Sequence, residues 1–312
     1  MSGRGEATGS SRLGLGSVQF GMDYGATNAA GKVPPDTVAE ILDFASGRGV
    51  RVLDTAFLYG DSETVIGNSG RQSVFNIVTK TDKVSDEAGP SAAATRIERG
   101  FARSLRQLGV EQVYGLLVHD PKDLLGPYGD AIWDCLRDIR RAGRASRIGV
   151  SVYEGDEIDL ILDRFDIDLI QAPFNALDQR LVDGGQLAAL AARRVEVHAR
   201  TIFLQGVLLQ PPDRLPQKLA GLRPVVGAMR ESFAAAGLTV MEGLLASVLR
   251  HTEIHHLIVG TTSLRDLQEI LAATERVETL ARSFNPARWE AVEPRLINPA
   301  FWSNLSDQER LR

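Results

Sequence analysis

The amino-acid sequence predicts an α/β fold, a (β/α)8 TIM barrel formed by a single domain. Three observations lead to this prediction: eight short apolar segments recur along the chain, amphipathic helical patterns alternate with them, and no Pro/Gly/Ser-rich linker divides the chain. Such alternation is typical of parallel β–α–β units, and a length of 312 residues suits one barrel domain. On the pattern alone, an open, doubly wound sheet is the alternative.

The predicted strands are nearly continuous in Val, Ile and Leu, which is the composition of strands covered on both faces. In chain order they are LGLGSV from Leu13, VRVLD from Val50, VFNIVT from Val74, VYGLLVH from Val113, SRIGVS from Ser146, LIQA from Leu169, VEVHAR from Val195 and HLIVG from His256.

The segments between the strands carry apolar residues at helical spacing, as in PDTVAEILDFASGRG, where glycines end the pattern. The other predicted helices are SAAATRIERGFARSLRQLG, with Ser91 as the expected N-cap, GDAIWDCLRDIRRAG, DEIDLILDRF, RLVDGGQLAALAARR, MEGLLASVLRHT and SLRDLQEILAATERV. Residues 204–224 and the tail after residue 283 lack the pattern, and long loops in a barrel are often functional.

Composition restricts the function classes. The net charge is −5, so nothing indicates binding to nucleic acid or to an anionic membrane, and no apolar run reaches 18 residues. Residues 1–11 are polar, lack an apolar signal core and are predicted to be a flexible tail before a barrel at 12–312. Cys135 is the single cysteine, which excludes an internal disulfide, and we expect no metal. We expect a cytoplasmic monomer or weak homo-oligomer.

Polar residues follow three adjacent predicted strands. Asp54 ends the second strand and Tyr59 lies in the loop behind it, while Lys80 ends the third and His119 the fourth. Each has a structural alternative, such as helix capping for Asp54, but charges beside buried strands are costly unless they are paired. Because reactive groups of barrels lie at the C-terminal strand ends, their joint placement predicts an active site.

The segments VRVLDTAFLYGDSETVIG, NIVTK and LLVHD resemble the three signatures of the aldo-keto reductase family, and the likeness runs from about Leu13 to about Glu278. The resemblance implies hydride transfer between a nicotinamide cofactor and a carbonyl. Tyr59 would be the general acid, Asp54 and Lys80 an ion pair beside it, and His119 a neutral hydrogen-bond donor to the carbonyl. We expect the Lys80 ammonium to lower the pKa of Tyr59 from about 10.

The glycines of the first strand do not form a Rossmann fingerprint, because Gln19 stands where its third glycine is required. The resemblance instead places the cofactor along the strand ends. The implied contacts are Gly16, Ser17, Asp54, Ser151, Gln171, Arg200, Gly260, Thr261, Thr262, Ser263, Arg265, Gln268 and Glu269. The chain departs from the family where Val152 replaces an asparagine and where Arg200 replaces a tyrosine that usually stacks on the nicotinamide ring.

The adenosine end also departs from the family pattern. Gly260 stands at the usual lysine position and Asp266 at the usual arginine position, and Arg265 is one residue out of register. Arginine and a helix N-terminus both suit a phosphate, so we expect NADP(H), with NADPH favoured and NADH left open. The alternative for Thr261–Ser263 is ordinary helix capping.

The predicted substrate contacts are Gln19, Phe20, Tyr24, Tyr59 and His119. This mixture is neither strongly apolar nor charged and suits small aldehydes, ketones or sugars. Two other functions stay open: a cofactor-binding regulatory subunit without turnover, and a barrel lyase in which Lys80 forms a Schiff base.

Overall fold

We analysed a computed structural model, which describes residues 12–84, 86–281, 283–284, 289 and 292–302. All eight predicted strands are present, and they form a closed parallel barrel in chain order. The strands are β1 (Leu13–Gly16), β2 (Val52–Asp54), β3 (Asn76–Lys80), β4 (Val113–Val118), β5 (Ala145–Ser151), β6 (Leu169–Pro173), β7 (Glu196–Arg200) and β8 (His256–Gly260). The TIM-barrel prediction is therefore confirmed, while the predicted tail at 1–11 lies outside the described residues.

The strand register brings the candidate site residues to one rim. Gly16 of β1 lies opposite Asp54 on one side and opposite Gly260 on the other, where β1 pairs with β8 and closes the barrel. Ser151 lies opposite Gln171 in the same way. Because an open sheet would leave β1 and β8 as unpaired edges, the doubly wound alternative is wrong.

The helices cover the outside of the barrel. They are α1 (Val18–Gly21), α2 (Pro35–Gly47), α3 (Ser62–Asn68), α4 (Pro90–Leu108), α5 (Pro121–Leu125), α6 (Gly129–Arg141), α7 (Gly155–Arg164), α8 (Arg180–Asp183), α9 (Gln186–Ala192), α10 (Arg223–Ala235), α11 (Val240–Leu249), α12 (Leu264–Ala281) and α13 (Pro294–Ile297).

Three helical details differ from the sequence expectation. Helix α4 begins at Pro90 with Gly89 as its N-cap, so Ser91 is inside the helix; proline suits the first helical position because its missing N–H would have no partner there. The pattern predicted as one helix is divided into α8 and α9 at Gly185, whose φ of 82° ends the first helix. Helix α10 and the short helices α1, α3, α5 and α13 were not predicted, and the stretch at 204–224 contains short 3-10 helices.

The barrel interior is filled by a cluster of side chains from five of the strands: Val52, Val78, Leu117, Leu169 and Ile258. A separate and larger apolar layer lies between the strands and the helices. Since the interior is packed, open space is left at the loop-covered mouth of the barrel.

A polar group closes the opposite, N-terminal end of the barrel. Glu196 accepts hydrogen bonds from the Tyr114 hydroxyl at 2.5 Å and from His198 Nε2 at 2.8 Å, and it pairs with Arg147 at 2.9 Å. Burial opposes its ionisation, but the hydrogen bonds from His198 and Tyr114 hold the pKa of Glu196 at about 2. Ligand atoms of Glu196, His198 and His256 lie within 4.8 Å of one another, but both carboxylate oxygens already accept hydrogen bonds. We therefore interpret these residues as a structural hydrogen-bonded cluster that fills the N-terminal end of the barrel.

Among the residues that the structure describes, no single helix is long and apolar enough to cross a membrane. One sharply bent pair, Gln217–Ala235 and Val240–Leu249, meets the length and composition requirement jointly.

Candidate active site

A cavity of about 510 Å³ opens at the C-terminal mouth of the barrel, between the strand ends and the loops that follow them. Most of the residues predicted to bind ligands line it. They are Gly16, Ser17, Gln19, Tyr24, Asp54, Tyr59, His119, Ser151, Gln171, Arg200, Gly260, Thr261, Thr262 and Glu269. The strand order thus gathers residues as distant in the sequence as Gly16 and Glu269 into one concave site.

Four predicted contact residues do not line the cavity: Phe20, Ser263, Arg265 and Gln268. Phe20 is fully buried in the hydrophobic core, because it lies on the inner face of the short helix α1. The structure therefore corrects the expectation that Phe20 contacts substrate. The Arg265 side chain is 84% exposed and pairs with Glu269 at 2.8 Å.

Lys80 and Asp54 form a buried ion pair, of which Asp54 lines the cavity and Lys80 does not. The distance from Lys80 Nζ to Asp54 Oδ1 is 2.6 Å, and the two side chains are 1% and 6% exposed. Lys80 also donates to the Thr55 carbonyl at 2.9 Å, and Gln171 Nε2 donates to the same Asp54 oxygen at 2.7 Å. A buried pair is tolerated when further hydrogen bonds satisfy its atoms, which is the case here.

Two glycines allow the Tyr59 loop to approach the loop after β1. A Cβ atom at Gly21 would lie 1.8 Å from the Tyr59 carbonyl oxygen, and one at Gly60 would lie 2.3 Å from the Gly21 carbonyl oxygen. Gly60 also has a φ of +60°, which is unfavourable for most other residues. The approach places the Tyr59 ring with its centroid 4.9 Å from Lys80 Nζ and 5.7 Å from the His119 ring.

The pKa of Tyr59 differs from the sequence expectation. Burial raises it well above the usual value of 10, and the Asp54 carboxylate raises it further. The Arg200 guanidinium lowers the pKa, but by less than burial and Asp54 raise it, and the charge of Lys80 is balanced by Asp54 at 2.6 Å. The hydroxyl is therefore protonated throughout the neutral range, as a proton donor must be, and the expectation that the pKa of Tyr59 lies below 10 is corrected.

His119 is uncharged at neutral pH. Burial, together with the charges of Lys80 and Arg200, lowers the pKa of its imidazole to about 3. Its backbone N–H donates to Thr81 Oγ1 at 3.2 Å, and its Nδ1 atom is buried without a hydrogen-bond partner in the described part of the chain. A neutral imidazole beside Tyr59 is able to donate one N–H to a ligand oxygen.

Tyr153 was missed by the sequence analysis, although it lines the same cavity. The Arg200 guanidinium lies 4.3 Å from the centroid of its ring. At the end of β7 the chain therefore presents Arg200 to the cavity, and an aromatic ring from the loop after β5 lies against it. The signal was available in the sequence, since Tyr153 is two residues beyond Ser151 at a strand end.

Small and polar residues line the far end of the cavity. Gly260 lets the Gln19 side chain approach closely, because a Cβ atom there would lie 2.8 Å from the Gln19 amide. Gln19 Oε1 is buried and has no partner among the described residues, so it is available to accept a hydrogen bond. Asp266 accepts hydrogen bonds from the backbone N–H of Thr262 at 3.2 Å and from its hydroxyl at 2.8 Å.

Comparison of the sequence with known proteins identifies a family profile and several relatives that the chain resembles. Residues 12–285 match the sequence profile of the Aldo/keto reductase family. An aldo-keto reductase of Mycobacterium tuberculosis is 34% identical over 120 residues, which are 37% of this chain and 40% of that protein. The matched part therefore spans about two fifths of the length of this curated relative.

Two longer matches are more distant in sequence. L-galactose dehydrogenase of Arabidopsis thaliana is 24% identical over 287 residues, which cover 86% of each chain. The solved structure of an aldo-keto reductase from Bacillus halodurans, in its holo form, superposes with a TM-score of 0.69 at 20% identity, covering 89% of this chain and 94% of that one. This structural likeness supports the fold.

Proposed function

Because the chain belongs to the aldo/keto reductase family, whose members carry out NAD(P)H-dependent carbonyl reduction, we propose that it reduces a small aldehyde, ketone or sugar carbonyl with Tyr59 as the proton donor. The observation that supports this proposal most directly is that Tyr59 and His119 line one cavity, while Lys80 of the buried Asp54–Lys80 pair lies 4.9 Å from the centroid of the Tyr59 ring. The reverse reaction, oxidation of an alcohol, uses the same groups.

The proposed roles follow from the positions of the side chains. The carbonyl oxygen accepts a hydrogen bond from the neutral His119 and from the Tyr59 hydroxyl, and Tyr59 transfers its proton as negative charge develops on that oxygen. Lys80 stabilises the phenolate that remains, and Asp54 holds Lys80 in position. Hydride would come from a nicotinamide cofactor when one is bound. Gly16, Ser151, Gln171 and the Gly260–Thr262 segment would hold that cofactor.

We expect the pH profile of carbonyl reduction to be flat. His119, with a pKa of about 3, stays neutral as the pH falls, and Tyr59, with a pKa raised above 10, stays protonated as it rises. The value of kcat/KM for reduction should therefore be constant from about pH 5 to about pH 9. A decrease of kcat/KM as the pH falls through about 6.5, absent in His119→Asn, would contradict the neutral imidazole. A decrease of kcat/KM as the pH rises through about 7 to 9 would show instead that Lys80 lowers the pKa of Tyr59.

The Schiff-base lyase receives no support from the position of Lys80. Its ammonium is buried, does not line the cavity and donates to Asp54 and Thr55, so a substrate carbonyl has no path to it. A regulatory role without turnover would not require Tyr59, His119 and the ion pair to be assembled together. Absence of carbonyl turnover together with tight cofactor binding would support that alternative.

The preference between the two nicotinamide cofactors stays a prediction. The sequence favours NADPH, whereas the charged residues that line the adenosine end of the cavity are Asp266 and Glu269, which would repel a 2′-phosphate and favour NADH. Arg265 would reach the phosphate only after leaving Glu269.

The variant Asp266→Arg tests this end of the cavity. It removes one carboxylate, releases the Thr262 donors and adds a guanidinium suited to phosphate. We expect the ratio of kcat/KM with NADPH to kcat/KM with NADH to rise by about tenfold or more. Glu111→Arg, at an exposed position before β4, makes the same charge change elsewhere and should leave the ratio unaltered. An unchanged ratio in Asp266→Arg would contradict the placement of the 2′-phosphate beside α12.

The first experiment on function is a fluorescence titration with NADPH and NADH, followed by assays on aldehydes, ketones and sugars at the nicotinamide absorbance band. L-galactose belongs in the oxidative panel, because the Arabidopsis relative that matches 86% of the chain is a dehydrogenase of that sugar. Cofactor binding with turnover of any carbonyl or alcohol supports the proposal. Failure to bind either cofactor would overturn it.

A further inference from the structure

Arg200 is the last residue of β7 and lines the cavity together with Tyr59 and His119. Two contacts hold its guanidinium in place. Its Nη2 donates to the Val152 carbonyl at 2.8 Å, and one face of the group lies over the Tyr153 ring at 4.3 Å. The group is thus fixed at the wall of the cavity rather than extended into solvent.

No carboxylate pairs with Arg200 in the part of the chain that the structure describes. Among the described residues that line the cavity, it is the single lysine or arginine. The three acidic groups among the described residues that line the cavity have other partners: Asp54 pairs with Lys80, Asp266 accepts from Thr262 and Glu269 pairs with Arg265. Arg200 Nε is buried and lacks a hydrogen-bond partner among those residues. A partly buried cation without a counter-charge is costly, and its open N–H groups require an acceptor.

The backbone that follows Arg200 is held in an unusual conformation. Thr201, Leu204 and Gln205 have φ angles of 61°, 48° and 54°, a region that residues other than glycine rarely occupy. Gln205 donates to the Tyr24 hydroxyl at 3.0 Å and accepts from Thr27 Oγ1 at 3.2 Å. Contacts with the loop after β1 therefore hold this segment across the cavity, and strained backbone of this kind is concentrated at functional sites.

We propose that Arg200 binds a carboxylate of the substrate, so that the preferred substrates of this chain are carbonyl compounds that carry a carboxylate. The planar guanidinium presents parallel N–H groups that match the two oxygens of a carboxylate. Tyr153 and Val152 occupy one face and one N–H group, which leaves other donors for the ligand. The inference rests on the proposed reductase function, because the carboxylate has to belong to a molecule whose carbonyl reaches Tyr59 and His119.

A matched pair of aldehydes tests the inference. 4-Formylbenzoate and 4-formylbenzamide have nearly the same shape and differ in charge. For the wild-type protein we expect kcat/KM to favour the carboxylate by about tenfold or more, the effect of one charge-assisted hydrogen-bonded pair. In Arg200→Gln the ratio should fall toward one, and Arg200→Lys should retain part of it. Arg141→Gln, on the exposed end of α6, removes the same charge far from the cavity and should keep the wild-type ratio.

Several results would overturn the inference. One is a ratio of kcat/KM for 4-formylbenzoate to kcat/KM for 4-formylbenzamide that is near one in the wild-type protein, and another is a ratio that Arg200→Gln leaves unchanged. A third is a loss of NADPH and NADH affinity in Arg200→Gln without a change in this ratio, because Arg200 would then bind an anionic group of the cofactor.

Binding measurements with the alcohols that correspond to the two aldehydes test this inference independently of the proposed function. The proposed function is tested by cofactor binding and by the wider panel of carbonyls and alcohols. If neither of these two aldehydes is reduced, calorimetry with 4-(hydroxymethyl)benzoate and 4-(hydroxymethyl)benzamide still tests the anion site. Tighter binding of the carboxylate that depends on Arg200 supports the inference, and equal binding of the two compounds contradicts it.

Discussion

Tyr59→Phe is expected to lower kcat for carbonyl reduction by about 10²- to 10⁴-fold, the usual contribution of a positioned proton donor. The substitution removes the hydroxyl and keeps the ring that packs beside His119 and Lys80, so the cavity should retain its shape. The dissociation constants of NADPH and NADH should therefore stay close to those of the wild-type protein. Steady-state kinetics and fluorescence titration measure the two quantities separately.

Tyr128→Phe provides the matched control, because Tyr128 precedes α6 and does not line the cavity. This variant should reduce carbonyls at the wild-type rate. Near-complete activity in Tyr59→Phe would contradict its assignment as proton donor, and loss of cofactor binding in that variant would mean that its defect is structural.

Lys80→Met is expected to have the largest combined effect on activity and stability. It leaves the Asp54 carboxylate buried without its cation and the Thr55 carbonyl without its donor. Breaking a buried pair on one side typically lowers the free energy of unfolding by about 3–5 kcal/mol. Turnover should also fall, because the phenolate of Tyr59 would no longer have a neighbouring cation. Chemical denaturation and steady-state kinetics measure the two effects.

The double variant Asp54→Asn with Lys80→Met separates stability from catalysis. It removes both charges and should recover most of the lost stability, since an uncharged pair carries little desolvation cost. Activity should stay low because the cation is still absent. Recovery of activity together with stability would show that Lys80 acts only by keeping the barrel folded.

Much of the fold could be predicted because its determinants are local in the sequence. Parallel strands covered on both faces give continuous apolar runs such as that of β4, and glycines end many of the helices between them. The positions of Asp54, Lys80 and His119 followed from the rule that barrel chemistry lies at C-terminal strand ends. Helix α10 escaped prediction because buried residues such as Val226, Met229 and Phe233 are interspersed with small residues and follow a proline-rich stretch.

The rest of the site could not be predicted, because it depends on distances between separate loops that a single sequence does not reveal. Tyr153 meets Arg200 only because β5 and β7 end at the same rim of the barrel. Phe20 was expected in the cavity, but the short helix α1 turns it into the core. The Asp54–Lys80 ion pair was expected, but the direction of the Tyr59 pKa depends on how deeply Tyr59 is buried and on the effect of the Asp54 charge, and neither magnitude follows from the sequence pattern.

The most direct test of the account is the transfer of deuterium from cofactor to substrate. The wild-type protein and Tyr59→Phe would be incubated with 4-formylbenzoate, 4-formylbenzamide and NADPH or NADH deuterated at C4 of the nicotinamide, and the alcohols would be examined by NMR. We expect deuterium on the former carbonyl carbon with the wild-type protein and a greatly reduced yield with Tyr59→Phe. An aldehyde adduct on Lys80 trapped by borohydride, or equal yields of labelled alcohol from both proteins, would contradict the account.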